Sequence, residues 1–193
     1  MIAAVKTLIW IAALSPLSWL LYEGFSNQLG PDPGKALVNG LGLWALRLLL
    51  ITLSLRPLRD ITGQSVFIRV RRLVGLFCWF YATLHFAASL FYVIGFSWPE
   101  LLKAFSEKTY IILGLLAWLL LVPLGVTSNR WAQRRLKRRW LVLHRTIYVI
   151  VILGCLHFLW LVRSDYWEPG LYLVMALVLL AWRLPLWRNS RSA

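Results

Sequence analysis

The sequence predicts an all-α integral membrane protein of six transmembrane helices with both termini on the cytoplasmic side. Three observations predict it. The first is composition: 60% of the 193 residues are hydrophobic and the mean hydropathy is +0.70, more apolar surface than a soluble domain of this size can hide. The second is the division of that hydrophobicity into six runs near the roughly 20 residues that a bilayer core requires. The third is the placement of charge. The formal net charge is +14, and the basic residues gather in alternate loops, as they do where cytoplasmic loops retain Lys and Arg. In a soluble chain such a charge would point to nucleic acid; with this hydropathy it points to a lipid membrane and basic loops at one face.

The apolar runs are 7–24, 36–55, 73–95, 109–126, 140–162 and 170–187. The first follows a single early lysine, and no clear small-x-small cleavage site follows it, so it is expected to persist as a helix. GPDPG at 30–34 is a turn cluster. The second run passes into RPLRDITGQSVFIRVRR, 56–72, a polar stretch with five arginines and a bend expected at Gly63. After the third run, FSWPELLKAFSEK at 96–108 reads as a short interfacial helix. The fourth is followed by TSNRWAQRRLKRR, 127–139, with six Lys/Arg, and RSDYWEPG at 163–170 separates the last two. Arg183, Arg188 and Arg191 add charge at the C-terminal end, whereas the opposite loops hold Lys35, Lys103, Lys108 and Arg163 with six of the seven acids. Loops 25–35, 96–108 and 163–169 are therefore expected outside. Residues 1–193 read as one domain, with no internal repeat, nucleotide-phosphate loop or appended soluble domain.

The aromatic and sulfur residues have plain readings. Trp98, Trp131, Trp140, Trp160, Trp167 and Trp187 fall near predicted helix ends, where an aromatic belt is expected. Trp44, Trp79 and Trp118 lie deeper, as core residues or as neighbours of a flat cofactor. Cys78 and Cys155 sit in apolar runs without redox or metal spacing and read as small core residues.

All seven acids lie in loops or at helix ends. A proton-coupled transporter would normally place a carboxylate at membrane depth, so this pattern speaks against one. The polar groups left inside the runs include His85, His144, His157, Arg47 and Arg145. At about 1.5 Å rise per residue, His144 lies one turn in from the basic loop and His157 about 19.5 Å further along. His85, on the third run, is nearer in depth to His157 than to His144. Two histidines at similar depth on neighbouring membrane helices are the usual protein contribution to a b-type haem held within the bundle, each giving one axial nitrogen to iron. No CxxCH is present for covalent attachment. Arg72 and Arg145 are candidates to pair with propionates. The plain alternative is a histidine hydrogen-bonded to a backbone carbonyl. One difficulty stands: an offset of thirteen residues turns His157 about 140° from His144 on an ideal helix. Two haems could approach from different sides, one histidine could ligate at a time, or the helix could be distorted.

The H-x12-H spacing of His144 and His157 resembles the fifth helix of the ferric-reductase-like transmembrane superfamily. RPLRDITG at 56–63, RRLVG at 71–75, YATLH at 81–85, KTYIILG at 108–114, LGVTS at 124–128 and RRWLVLHRTIY followed by LHFLWLV sharpen this. Together they resemble the MsrQ family (formerly YedZ), the haem-binding membrane subunits of periplasmic protein-methionine-sulfoxide reductase systems. The likeness covers essentially the whole chain. It implies haem b and FMN as cofactors. It implies electrons taken from the quinone pool or a cytoplasmic flavin reductase and passed, in a heterodimer, to a periplasmic molybdopterin-dependent methionine sulfoxide reductase, at a bacterial inner membrane. His85 matches the family's ligand on the third helix, and His144 and His157 the two positions on the fifth. The superfamily's second histidine on the third helix falls here at Arg71 or Pro99, neither a ligand of that kind, so two bis-histidine haems are not expected. Equal depth favours His85 with His157. His144 is left as an alternative ligand, a second-site ligand with an unusual partner, or part of a flavin or quinone site near the basic loop 127–139. The expected role is a non-catalytic electron-transfer subunit. The alternatives are a stand-alone ferric or quinone reductase and a cofactor-free transporter or assembly factor.

Overall fold

The computed structural model describes residues 2–183, and every regular element among them is helical. Helix α1 spans Ile2–Phe25, α2 Pro33–Thr62, α3 Val66–Ser89, α4 Trp98–Glu107, α5 Thr109–Val126, α6 Arg130–Leu136, α7 Arg138–Arg145, α8 Ile147–Leu161 and α9 Trp167–Ala181. A π-helical turn, Leu90–Ile94, extends α3. Five spans are long and apolar enough to cross a membrane: Ile2–Phe25, Pro33–Thr62, Val66–Ile94, Thr109–Val126 and Arg138–Leu161. The sixth run gives α9, an apolar helix of only 15 residues; positions 184–187 of that run, Trp187 included, and Arg188 and Arg191 lie outside the described residues.

Local chemistry sets the boundaries. Asp32 caps α2, accepting from the Lys35 amide at 3.0 Å, with Pro33 pre-set for the first turn. The polar stretch after the second run is mostly helix: α2 continues through Arg56 and Arg59 to Thr62 and stops where Gly63 adopts φ +71°, a left-handed conformation that glycine takes without strain. Ser97 caps α4, whose Trp98 and Leu102 are exposed on an apolar face, as an interfacial helix requires.

Prolines inside membrane helices orphan a carbonyl four residues earlier, and in lipid that group must be satisfied internally. Pro57 orphans the Leu53 carbonyl, which accepts from Arg183 Nη2 at 2.7 Å; Nη1 of the same buried guanidinium donates to Tyr148 Oη at 2.9 Å. Pro16 orphans Ala12, which accepts from Ser15 Oγ at 3.1 Å. Beside it, Tyr81 Oη is inserted between two groups that an unbroken helix joins directly, accepting from Leu17 N at 3.0 Å and donating to the Ala13 carbonyl at 2.7 Å. These bonds tie α1 to α3 and α9 to α2. They matter because lipid tails are as apolar as leucine, so packing and hydrogen bonds, not water exclusion, hold the helices together.

α2 packs along α3 and α5 along α8. Leu49, Leu53, Phe77, Tyr81, Val151 and Cys155 form part of the buried centre, and large apolar side chains on the outer faces of α1, α5 and α9 are exposed, as a lipid-facing belt requires. Midway along α2, Arg47 meets α9: Nε donates to Tyr172 Oη at 2.6 Å, Nη2 lies 3.5 Å from Glu168 Oε1, and the guanidinium stands 5.0 Å from the Trp44 ring centre. Glu168, an acid at a helix end by sequence, thus partners an intramembrane arginine.

Candidate functional site

His85 lies on α3 with its Nδ1 2.8 Å from the Val38 carbonyl oxygen of α2. A carbonyl only accepts, so Nδ1 carries the hydrogen and Nε2 keeps its lone pair. The ring approaches α2 that closely because residue 42 is glycine: a Cβ there would stand 2.8 Å from both Nδ1 and Cε1. His157, on α8, repeats the arrangement against α5. Its Nδ1 is 2.6 Å from the Tyr110 carbonyl, and a Cβ on Gly114 would stand 2.7 Å from that nitrogen. In each case the glycine follows the acceptor carbonyl by four residues, one turn along the same helix face, so carbonyl and missing side chain form one notch.

The two notches belong to an internal repeat, which corrects the expectation of none. In both, the acceptor lies 47 residues before the histidine. Shifted by 72 residues, Leu84-His85-Phe86 matches Leu156-His157-Phe158, and Leu41-Gly42-Leu43 matches Leu113-Gly114-Leu115; Ala45, Leu48 and Leu49 match Ala117, Leu120 and Leu121. The α2–α3 and α5–α8 hairpins are two copies of one device, each presenting an imidazole whose free nitrogen faces away from the notch. The glycines and the two carbonyls are the site features that single-residue reading missed, and the repeated LHF and LGL were the signal that could have found them.

The hairpins bring the two rings together, with centroids 6.1 Å apart and planes at 82°. A metal–imidazole bond is about 2.0–2.1 Å, so two such bonds in line across one metal hold the ring centres roughly 6 Å apart. The spacing fits a metal between them. Among the described residues no three His, Cys, Asp or Glu side chains converge. Aromatic walls stand beside the pair: Trp118 stacks on Phe86 at 4.0 Å and 16°, and the Tyr110 ring is 5.8 Å from that of His157.

His144 is elsewhere. It lies near the end of α7, with Nε2 3.1 Å from Thr127 Oγ1 and its ring stacked on Trp140 at 3.9 Å, close enough to Arg71 to feel its charge. The continuous helix expected from 140 to 162 is interrupted at Thr146, whose N–H and Oγ1 both turn back to the Leu143 carbonyl. The interruption does not bring His144 to the side of His157: His144 stacks on Trp140, and His157 lies against Tyr110 and His85. Arg72 and Arg145 are exposed at the basic end, and Arg71 is the arginine placed near His144. Between α2 and α3 at that end runs a groove lined by Arg56, Arg59, Ser65, Arg69 and Arg71.

Residues 41–155 match the family described as the ferric reductase like transmembrane component. The chain is 47% identical to the protein-methionine-sulfoxide reductase heme-binding subunit MsrQ of Xanthomonas axonopodis pv. citri (strain 306) over 189 residues, 95% of this chain and 87% of that protein. It is 45% identical to the protein of the same description from Xanthomonas campestris pv. campestris (strain 8004), with the same coverage.

Proposed function

Since this chain belongs to the ferric-reductase-like transmembrane family and, within it, to the heme-binding MsrQ subunits, we propose that it carries electrons through one b-type haem held between His85 and His157. The observation that carries this reading is the facing pair of Nδ1-anchored imidazoles. When bound, the haem supplies a one-electron couple within the apolar layer. The chain does the rest. The Val38 and Tyr110 carbonyls fix each ring's tautomer and orientation and raise the basicity of its ligating nitrogen. The surrounding apolar and aromatic side chains exclude water and set the local dielectric, hence the potential.

In this reading all six helices span a bacterial inner membrane, both termini are cytoplasmic, and the basic end faces the cytoplasm. The histidine pair then lies toward the periplasm, suited to deliver electrons to a periplasmic molybdopterin-dependent methionine sulfoxide reductase in a heterodimer. The donor is quinol or a cytoplasmic flavin reductase. An FMN phosphate would find its counter-charge in the arginine groove between α2 and α3, near His144. In the test, reduced protein in nanodiscs is mixed with the oxidised periplasmic catalytic subunit. Reduced b-type bands that disappear on mixing are expected. Colourless protein from haem-replete cells would defeat the reading, and direct reduction of ferric chelates without a partner would favour a stand-alone reductase.

A further inference from the structure

We propose that the arginine groove between α2 and α3 is a site for the phosphodiester headgroup of a net-anionic phospholipid, a role beyond electron transfer and independent of which donor feeds the haem. The groove has a volume of about 440 Å³ and is lined by Arg56, Arg59, Ser65, Ile68, Arg69 and Arg71. Its charge is not balanced from within. Asp60 lies 3.0 Å from Arg59 Nε and 4.0 Å from Arg56 Nε, so one carboxylate is shared between two arginines. Among the described residues no ion pair forms at Arg69 or Arg71. Arg71 also feels the like charges of Arg183 and Arg56, and crowded like charges repel unless an anion stands among them. Arg56 Nε is buried and has no hydrogen-bond partner; a buried donor left unmet is costly. Ser65, at the N-terminus of α3, makes no capping bond with its side chain. Guanidinium donors, a hydroxyl and a helix N-terminus together suit a phosphoryl anion.

Depth and apolar surroundings decide between a phosphate in solution and one carried by a lipid. At roughly 1.5 Å per residue, Arg56 lies about 34 Å along its span from Pro33, and Arg71 about 34 Å along its span from Ile94. The hydrocarbon core of a bilayer is about 30 Å thick, so both walls of the groove open at headgroup level. Ile68, in the groove lining, is 42% exposed, and Ile61, near the end of α2, is 68% exposed. Acyl chains attached to the bound phosphate would cover them. Basic pockets between membrane helices are where anionic lipid headgroups bind. An FMN phosphate or inorganic phosphate offers the same anion but brings no acyl chain to these isoleucines. A zwitterionic lipid brings the chains, but its ammonium cancels the attraction.

The test uses the full-length haem-loaded protein, delipidated in detergent, with native mass spectrometry following the lipid retained as phosphatidylglycerol is added. The variants are Arg56→Gln/Arg69→Gln in the groove and, as the control for general basicity, Arg134→Gln/Arg135→Gln on the exposed face of α6. Wild type and the α6 variant are expected to bind phosphatidylglycerol alike. The groove variant is expected to bind it about tenfold more weakly, the scale of a lost hydrogen bond to a charged group, with haem content equal to wild type. Phosphatidylcholine, inorganic phosphate and FMN are expected not to displace it. A measurement on wild type alone needs no variant to fold: in nanodiscs, spin-labelled phosphatidylglycerol is expected to show a larger immobilised EPR fraction than spin-labelled phosphatidylcholine. Equal fractions, undiminished binding in the groove variant, or equal loss in the α6 variant would overturn the site. Displacement by inorganic phosphate or by FMN would give the groove to a soluble phosphate and overturn the lipid assignment.

Discussion

Replacing Gly114 by alanine tests the notch that aims His157. The added Cβ would stand 2.7 Å from Nδ1, where ordinary contact begins at 3.4 Å, so the ring must retreat by about 0.7 Å. Taken along the hydrogen bond, that stretches the contact to the Tyr110 carbonyl from 2.6 Å to about 3.3 Å, past the useful N–H···O range. It also drives the ring toward His85, whose centroid is already at the 6.1 Å spacing that a shared metal fits. Overpacking costs about 1–3 kcal/mol, and losing the partner that orients a ligand typically costs about 10–100-fold in metal affinity. Gly114→Ala is therefore expected to lower haem affinity by one to two orders of magnitude. Because the imidazole loses basicity, the midpoint potential of retained haem should rise. Gly42→Ala should do the same to His85. Gly40→Ala is the control: its Cβ would come as close, 2.8 Å, but to the free end of Leu20, which can move aside, so haem should be unaffected. The assay is haem-to-protein ratio and spectroelectrochemical titration in detergent. Full haem and an unshifted potential in Gly114→Ala would refute the positioning argument.

Other predictions follow from the same contacts. Tyr81→Phe removes the hydroxyl between Leu17 N and the Ala13 carbonyl and should destabilise the fold by about 1–3 kcal/mol, read as a lower midpoint in unfolding from mixed micelles. Arg183→Leu leaves the carbonyl orphaned by Pro57 without a donor and should cost a similar amount, whereas Arg183→Lys should recover part of it. An engineered Ser164→Cys should react with an impermeant maleimide in intact spheroplasts, and Ser65→Cys only after permeabilisation; the reverse pattern would invert the proposed orientation. Native Cys78 and Cys155 are buried and give little background.

Much of the helix plan was legible because membrane helices announce themselves by length and hydropathy, and caps such as Asp32 and Ser97 act locally. Depth arithmetic along straight helices sets His85 level with His157, and the structure has their ring centres 6.1 Å apart. Four features escaped for physical reasons. The polar run 56–72 lies outside the apolar windows, yet its arginines extend α2 and α3 well beyond them, with only the turn at Gly63 breaking the helices. Backbone carbonyls carry no residue identity, so the anchors at Val38 and Tyr110 were invisible, and a glycine looks like packing until an imidazole is found against it. The Arg47–Glu168 contact joins residues distant in the chain, and periodicity says nothing about such pairs. Arg71, noted only as a departure from the superfamily pattern, lies near His144, a proximity that no spacing rule along one helix could supply.

The most direct test of the central claim is low-temperature EPR of the oxidised protein with haem stoichiometry, in wild type and the His85→Ala, His157→Ala and His144→Ala variants. The account predicts a low-spin bis-imidazole signal that disappears in the first two variants and persists in His144→Ala. Loss of that signal in His144→Ala with its retention in His157→Ala would contradict it.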